Sequence, residues 1–276
     1  MGKLYLVATP IGNLEDFSFR AKRILKEVPL IAAEDTRTTR VLLNHYEIDT
    51  KLTPYHDHNK EAAAAILLEH LRNADLALVS DAGSPAINDP GFYLVQAAVQ
   101  AGFEVTPIPG PSAPIAALSA SGIATDSFLY LGYLPRKKTA RREQLNKVLD
   151  LPWTLVFLES PHRLMDSLED LQSILGDRRM VVARELTKLH EEIYRGSISA
   201  ARKHYQTNTL KGEITLVIEG RISGEVWPES RLLDEIRKTQ ISSASSPSQL
   251  AKSLAKISGW PRSKVYDLIQ SHEQNP

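Results

Sequence analysis

The chain has 276 residues and no cysteine. Disulfides, thiolate metal sites and a cysteine nucleophile are therefore excluded. It has no G-x-G-x-x-G and no G-x-x-x-x-G-K-[ST] stretch, so neither a standard dinucleotide fingerprint nor a P-loop is supported. No pair of histidines stands at metal-ligand spacing, and no metal is expected. Long apolar runs are missing as well. Leu4 to Ala8 and Ala62 to Leu68 are the longest, and both are too short for a signal peptide or a membrane span. The expectation is a soluble, cytoplasmic protein. Net charge is also lacking: 33 Lys and Arg balance 33 Asp and Glu, which argues against a simple nucleic-acid binder.

What is present is an ordinary globular composition, 42% hydrophobic and 24% charged, enough for a sizeable core. The length fits one large or two medium domains. The neutral total hides an uneven distribution. Residues 1–123 hold 10 basic and 14 acidic side chains, residues 124–222 hold 16 and 13, and the remainder 7 and 6. The second half is mildly basic, a weak pointer by itself.

Short apolar strands alternate with helical stretches from the start. Leu4 to Ala8, Leu30 to Ala33, Asp75 to Val79 and Phe103 to Ile108 read as strands. Helices are expected from about Asp16 to Glu27, Asn59 to Arg72 and Gly91 to Gly102, with Asp35 or Thr36 capping another. This alternation predicts a mostly parallel sheet covered by helices. A second unit begins near Ser127. Its strands are expected at Phe128 to Gly132, Thr154 to Leu158, Met180 to Ala183 and Glu213 to Ile218. Arg221 to Pro228 reads as a linker and the Ser-rich stretch Ser242 to Ser248 as mobile. Beyond the linker the pattern is helical: Ser246-Pro247-Ser248-Gln249 is a capping box, Gly259 can end that helix, and Leu250, Leu254 and Ile257 suggest its apolar face. The division is 1–123, 124–222 and 228–276.

Five segments carry chemistry. Asp81 to Gly91 follows a strand, where ligands of open α/β sheets bind. Gly83 permits close approach, and Asp81 can accept a hydrogen bond from a ribose or an amine; a capped tight turn is the plainer reading. Pro109 to Pro114 follows the next strand and is equally readable as a helix start. Glu159-Ser160-Pro161-His162-Arg163 offers Glu159 and His162 as free proton acceptors beside a helix cap. Arg184 to Glu192 concentrates acids, bases and hydroxyls at a strand end, the usual composition of a solvated ion-paired turn. Arg136-Lys137-Lys138-Thr139-Ala140-Arg141-Arg142 puts five positive charges in seven residues, enough to neutralise several phosphates.

Together these segments resemble one family. Leu4 to Leu14 (Leu-Tyr-Leu-Val-Ala-Thr-Pro-Ile-Gly-Asn-Leu) is its opening signature. Ala32-Ala33-Glu34-Asp35-Thr36-Arg37, the Asp81 to Gly91 loop, Gly110-Pro111-Ser112-Ala113, Glu159 to Arg163, Arg184 to Lys188 and Gly212-Glu213-Ile214-Thr215-Leu216 follow in order. The chain resembles the small-subunit ribosomal RNA methyltransferases of the tetrapyrrole methylase superfamily over nearly its whole length. It departs at Ser84, where Thr is common, and Asn88, where Ser is common. The resemblance implies an α/β fold with two domains, a cofactor cleft between them and a small C-terminal helical module. It implies a homodimer that methylates the ribose 2′-oxygen of a decoding-region cytidine in the 16S rRNA of the small ribosomal subunit, using S-adenosyl-L-methionine. By motif position, cofactor contacts are expected at Pro10, Asp81, Ser84, Ile87, Ser112, Ala113, Leu158, Leu186, Glu213 and Ile214. RNA contacts are expected at Arg37, Arg40, Arg136, Lys137, Lys138, Arg141 and Arg142. Lys188 and Glu159 are the candidate catalytic groups, because a ribose hydroxyl is a weak nucleophile that needs a base or a charged neighbour. Two other readings stay open: a methylase acting on a small tetrapyrrole, and a nonenzymatic RNA-binding protein.

Overall fold

The computed structural model describes residues 1–206, 210–221, 227–242 and 246–274. The first sheet is built from β1 (Lys3–Val7), β2 (Leu30–Ala33), β3 (Lys51–Pro54), β4 (Leu76–Val79) and β5 (Glu104–Ile108). Its order is β3-β2-β4-β1-β5 and every pairing is parallel. A parallel sheet needs cover on both faces, and it has it. On one face α1 (Phe19–Glu27) and α2 (Thr36–His45) bury Ile24, Leu25, Leu42 and Leu43 with Val7, Ile31 and Val79. On the other, α3 (Lys60–Leu71) and α4 (Gly91–Gln100) bury Leu67, Leu71, Leu94 and Ala98 against Leu4, Leu76 and Leu78. Ser18 and Asp35 cap α1 and α2 by accepting from the amides of Ala21 and Arg37.

The second sheet contains β6 (Phe128–Tyr133), β7 (Thr154–Glu159), β8 (Arg179–Arg184), β9 (Glu192–Ser197) and β10 (Ile214–Ile218), in the order β6-β7-β10-β8-β9. Only β6 and β7 pair in parallel. Strand alternation sorts its side chains. Leu155, Phe157, Met180, Val182, Leu216 and Ile218 face a core closed by α6 (Lys138–Val148), α7 (Leu164–Leu175) and α8 (Ile198–Tyr205). Val156, Val181, Ala183 and Val217 face the opposite way, onto Ala117 and Leu118 of α5 (Ala113–Ser121). Thus α5 follows the first sheet in sequence but covers the second. It joins the two units through a shared apolar layer that also holds Ile11 and Leu186.

The last three helices, α9 (Glu229–Ser242), α10 (Pro247–Ser258) and α11 (Arg262–Gln274), enclose their own core of Leu232, Ile236, Leu250, Leu254, Val265 and Ile269. Ser246 caps α10, and Gly259 ends it in the left-handed conformation at φ 71°. Ile257, expected on the apolar face, is half exposed, and Ala251 takes the inward place. The Trp260 indole donates to the Trp227 carbonyl at 2.7 Å, tying the helix junction to the module's entry. Residues 222–226 of the expected linker and 243–245 of the expected mobile stretch lie outside the described residues; Ser242 ends α9, and Ser246, Pro247 and Ser248 cap and begin α10. No helix among the described residues is long and apolar enough to cross a membrane.

Candidate functional site

All the chemistry-bearing loops of the first unit leave the carboxyl ends of its parallel strands. Thr9-Pro10-Ile11 follows β1, Glu34-Asp35 follows β2, Ser80 to Pro90 follows β4 and Pro109 to Ser112 follows β5. In an open sheet this edge is where ligands bind. Here the second sheet closes over it. A cleft of about 490 Å³ lies between the two, in the size range of a cofactor site. Its first-unit wall includes Glu34, Asp81, Ser84, Ile87, Ser112 and Ala113. Its second-unit wall includes Phe128, Tyr130, Tyr133, Leu158, Glu213 and Ile214.

The loops are held by reciprocal backbone bonds and by strain. Thr9 and Gly83 exchange both amide–carbonyl bonds, at 2.9 and 3.0 Å, which locks the β1 loop to the β4 loop. Asp89 accepts from the amides of Ala86 and Gly91 at 2.9 and 2.7 Å. It thereby holds Ala86 at φ 70° and Asn88 at φ 63°, conformations that non-glycine residues adopt at a cost. Across the cleft, Glu185 and Thr187 are also left-handed, at φ 51° and 67°. Strain is therefore concentrated on the two facing loops.

Electrostatically the cleft floor is divided. Burial pushes the carboxyls of Glu34 and Asp81 up, while the Arg37 guanidinium and amide hold Asp35 down to about 2. The Asp35 amide donates to Asp81 at 3.1 Å and the Asp81 amide to Glu34 at 3.4 Å. Asp81 opens onto the cleft with acceptor capacity to spare. The donor set suits a nucleoside cofactor: a carboxylate for hydroxyls or an amine, apolar Ile87, Ala113, Leu158 and Ile214 for a flat ring, and a Tyr130 hydroxyl with no hydrogen-bond partner among the described residues.

On the far side, Lys188 donates to Glu185 at 2.8 Å and Glu213 at 3.1 Å. Burial lowers its pKa, but the two carboxylates outweigh that and leave it raised, so it is held as a cation. Glu185 in turn accepts from the Glu213 amide at 3.1 Å and sits over Gly212, where a Cβ would lie 2.1 Å from its carboxyl carbon. The charge run from Arg184 is thus a clamped turn against the Gly212 loop.

Sequence and fold comparisons agree with this geometry. Residues 3–202 match the family model for tetrapyrrole (corrin/porphyrin) methylases. The chain belongs to the tetrapyrrole methylases. It is 47% identical over 272 residues to ribosomal RNA small subunit methyltransferase I of Halalkalibacterium halodurans, covering 97% of this chain and 94% of that protein. It is 46% identical over 270 residues to the protein of the same name from Escherichia coli O157:H7, covering 96% and 93%. Among solved structures, uroporphyrin-III C-methyl transferase from Thermus thermophilus, in complex with S-adenosyl homocysteine, has the same fold at a TM-score of 0.56 and 20% identity, covering 78% of this chain and 97% of that one.

In this tetrapyrrole methylase, eight of the ten expected cofactor residues line the cleft: Asp81, Ser84, Ile87, Ser112, Ala113, Leu158, Glu213 and Ile214. Pro10 lines an adjoining cavity of about 310 Å³ that shares Ser80 and Asp81 with the cleft. Leu186 lines neither and belongs to the apolar layer with Ile11. Glu159, read from the sequence as chemically free, is buried. Its carboxylate accepts from Ser160, Arg163 and Ser167, so it anchors the Ser160 turn and is not exposed for proton transfer. Arg141 is corrected too: it is buried in an ion pair with Asp170, and Arg142 shares the same carboxylate. Arg136, Lys137 and Lys138 remain exposed, without a side-chain partner among the described residues. Arg37 is exposed on the rim, bound to Asp35 at 2.7 Å. The sequence reading missed Glu34, Phe128, Tyr130 and Tyr133 as cleft residues. Glu34 lay inside a quoted motif, whereas the aromatics looked like ordinary strand positions.

Asp81→Asn is expected to lower cofactor affinity about 10- to 100-fold, the worth of one charge-assisted hydrogen bond. Stability should not fall. The raised pKa means that the folded state binds the Asp81 proton more tightly than the unfolded state does. Its contribution to stability is therefore largest at low pH and declines as pH rises through the folded-state value, so a neutral amide removes a cost. Calorimetric titration of S-adenosyl homocysteine together with a melting curve tests both halves.

Proposed function

We propose that this methylase transfers a methyl group from S-adenosyl-L-methionine to the ribose 2′-oxygen of a decoding-region cytidine in 16S rRNA. The observation that carries this reading is the position of the cleft. It lies between two units whose strand-end loops supply a carboxylate, apolar walls and a clamped cation, and its wall strand β6 leads directly into three exposed cations. The high identity to proteins named ribosomal RNA small subunit methyltransferase I supports an RNA substrate. The cofactor, when bound, supplies an electrophilic methyl on a sulfonium.

The chain's own residues bind and align. Asp81 accepts a hydrogen bond from the cofactor's polar edge, and Ile87, Ala113, Leu158 and Ile214 exclude water from the reacting centre. Ser84 and Ser112 sit on loops that line the cleft. Lys188, fixed as a cation one ion pair from the cleft residue Glu213, would stabilise the negative charge developing on the acceptor oxygen as the 2′-hydroxyl proton is released to solvent. Arg37 and Arg40 on one rim, and Arg136, Lys137 and Lys138 on the other, contact RNA phosphates. The division into 1–123, 124–222 and 228–276 belongs to the same reading, supported by the two sheets and the separate helical core. So do a cytoplasmic location and a homodimer, for which α4 offers exposed Phe92 and Val99 seven residues apart on one face.

Labelled S-adenosyl-L-methionine offered with 30S subunits, naked 16S rRNA and a tetrapyrrole precursor in parallel tests the substrate. Label in RNA from either of the first two, mapped to a ribose oxygen, is the expected result; label only in the tetrapyrrole overturns the reading. In the same panel, R136E/K137E/K138E is expected to weaken RNA binding at least tenfold near physiological salt and to flatten its salt dependence. Cofactor affinity should be unchanged.

A further inference from the structure

The edge strand β6 does something its sequence does not announce. In a regular strand the side chains facing one way are two residues apart. Phe128 and Tyr130 line the cleft, so residue 132 should be next. It is not. The register of β6 on β7 runs Tyr130 to Val156 and then Tyr133 to Leu158, three residues against two. One extra residue has been inserted into β6, and Gly132, at φ 63°, absorbs it. The bulge has two consequences. It turns Tyr133 onto the cleft face beside Phe128 and Tyr130. It also leaves the place at Gly132 for Asn88 of the opposite unit: a Cβ there would lie 2.2 Å from the Asn88 amide nitrogen. The side-chain amide of Asn88 and the bulged Gly132 therefore meet at the seam, and together they fix Tyr133 at the cleft mouth.

Tyr133 keeps 51% of its surface exposed, a large value for an aromatic residue lining a concave site. Among the described residues its hydroxyl has no hydrogen-bond partner, and its ring carries no stacking or cation contact. The charges that act on it come from both units: Glu213, Glu159 and Arg163 from one and Glu34 from the other. It therefore stands where the two sets of strand ends converge. Three residues further on, after Pro135, begin the exposed Arg136, Lys137 and Lys138, which have no side-chain partner among the described residues. An open aromatic face followed at once by cations is the arrangement that holds a single strand of nucleic acid, with rings taking bases and cations taking phosphates.

We propose that Tyr133 is a substrate-positioning residue: its ring stacks on the base of the target nucleotide while Arg136, Lys137 and Lys138 hold the adjacent phosphates. This rests on the reading of RNA as the substrate. The occupant is an unpaired base, because a base within a duplex offers no free face to a ring on a cleft wall.

The test measures KM and kcat for 30S subunits, and separately the Kd for S-adenosyl homocysteine, in wild type, Tyr133→Ala and Tyr133→Phe. Tyr133→Ala is expected to raise KM for the subunit by about 5- to 100-fold, the range for loss of one stacked base. Tyr133→Phe, which keeps the ring, should stay within about twofold of wild type on the same scale. Cofactor affinity should be unchanged in both, which also shows that both are folded. If Tyr133→Phe falls as far as Tyr133→Ala, the hydroxyl and not the ring is used, and stacking is overturned. If Tyr133→Ala loses cofactor affinity in step with KM, the residue belongs to the cofactor's side and the proposal fails. A wild type that labels the tetrapyrrole and no RNA overturns the substrate reading itself, a result visible before any variant is compared.

Discussion

Asp170→Ala is expected to destabilise the second unit by about 3–5 kcal/mol, the cost of leaving a buried charge without its partner. Asp170 lies on α7 with no exposed surface, and Arg141 on α6 is almost as deep. Both carboxylate oxygens are used: Arg141 Nε donates to one at 2.7 Å and Arg142 Nη1 to the other at 3.1 Å. Arg141 also reaches back to the carbonyls of Pro135 and Arg136, so the pair secures the chain as it leaves β6 for α6. Removing the carboxylate strands a guanidinium that cannot lose its proton in a layer closed by Leu145 and Leu168. A melting temperature lower by roughly 10 °C is expected for a protein of this size. The double variant R141M/D170L should recover most of the loss, because an apolar pair of similar volume avoids the desolvation of both charges. A single variant that melts within a degree of wild type would falsify the account.

This ion pair also shows where the sequence stops being readable. Arg141 and Arg142 stand in the same basic run as Arg136 to Lys138 and look identical to them. What separates them is helical phase: Arg141 falls on the inward face of α6 with Leu145 and Val148, while Lys137 and Lys138 fall at its open start. The partner, Asp170, is 29 residues away on another helix, and no local pattern pairs them. Glu159 was misread for a similar reason. Its neighbours suggested a loop, but it is the last residue of β7, and strand alternation turns it inward to Ser167. By contrast, four of the five parallel strands of the first sheet, β1, β2, β4 and β5, were legible, since each is a short run that ends in a Gly, Pro or Asp loop. Two of the four edge strands, β3 and β9, were not. Lys51–Pro54 is short and ends in proline, and Glu192–Ser197 is polar along most of its length, as an edge exposed to water permits. The cleft residues taken from motifs were found where motifs exist, at Asp81, Ser112 and Glu213. Tyr133 depends on a one-residue bulge, and its orientation follows from pairing that only the folded sheet defines.

Gly12→Ala is expected to abolish most methyl transfer, by about a hundredfold or more, with the fold retained. Gly12 follows β1 in the loop that crosses to the second unit. A Cβ on it would lie 2.4 Å from Lys188 Cγ, 2.8 Å from the Thr187 hydroxyl and 2.9 Å from the Leu186 carbonyl oxygen. The lysine stem could shift, but the Leu186 carbonyl belongs to a turn whose backbone is already strained at Glu185 and Thr187 and is tied to the Glu213 strand end. The added methyl therefore displaces the turn as a whole. Lys188 moves with it, relative to Glu213 and to the cleft wall. Aligning reactants is most of what a displacement at carbon asks of a protein, and a shift of about 1 Å costs on the order of a hundredfold. Stability should fall by only about 1–3 kcal/mol, because the contact lies at the margin of the apolar layer that holds Ile11 and Leu186 and leaves the other faces of both sheets untouched. The first-unit cleft residues proposed to contact the cofactor, Asp81, Ser84 and Ser112, are untouched, so affinity for S-adenosyl homocysteine should fall by less than the turnover number does. Measuring kcat on 30S subunits, that affinity and the melting temperature on one preparation separates these effects. Near-native kcat in Gly12→Ala would show that the 185–188 turn gives way freely and that Lys188 needs no fixed place beside the cleft.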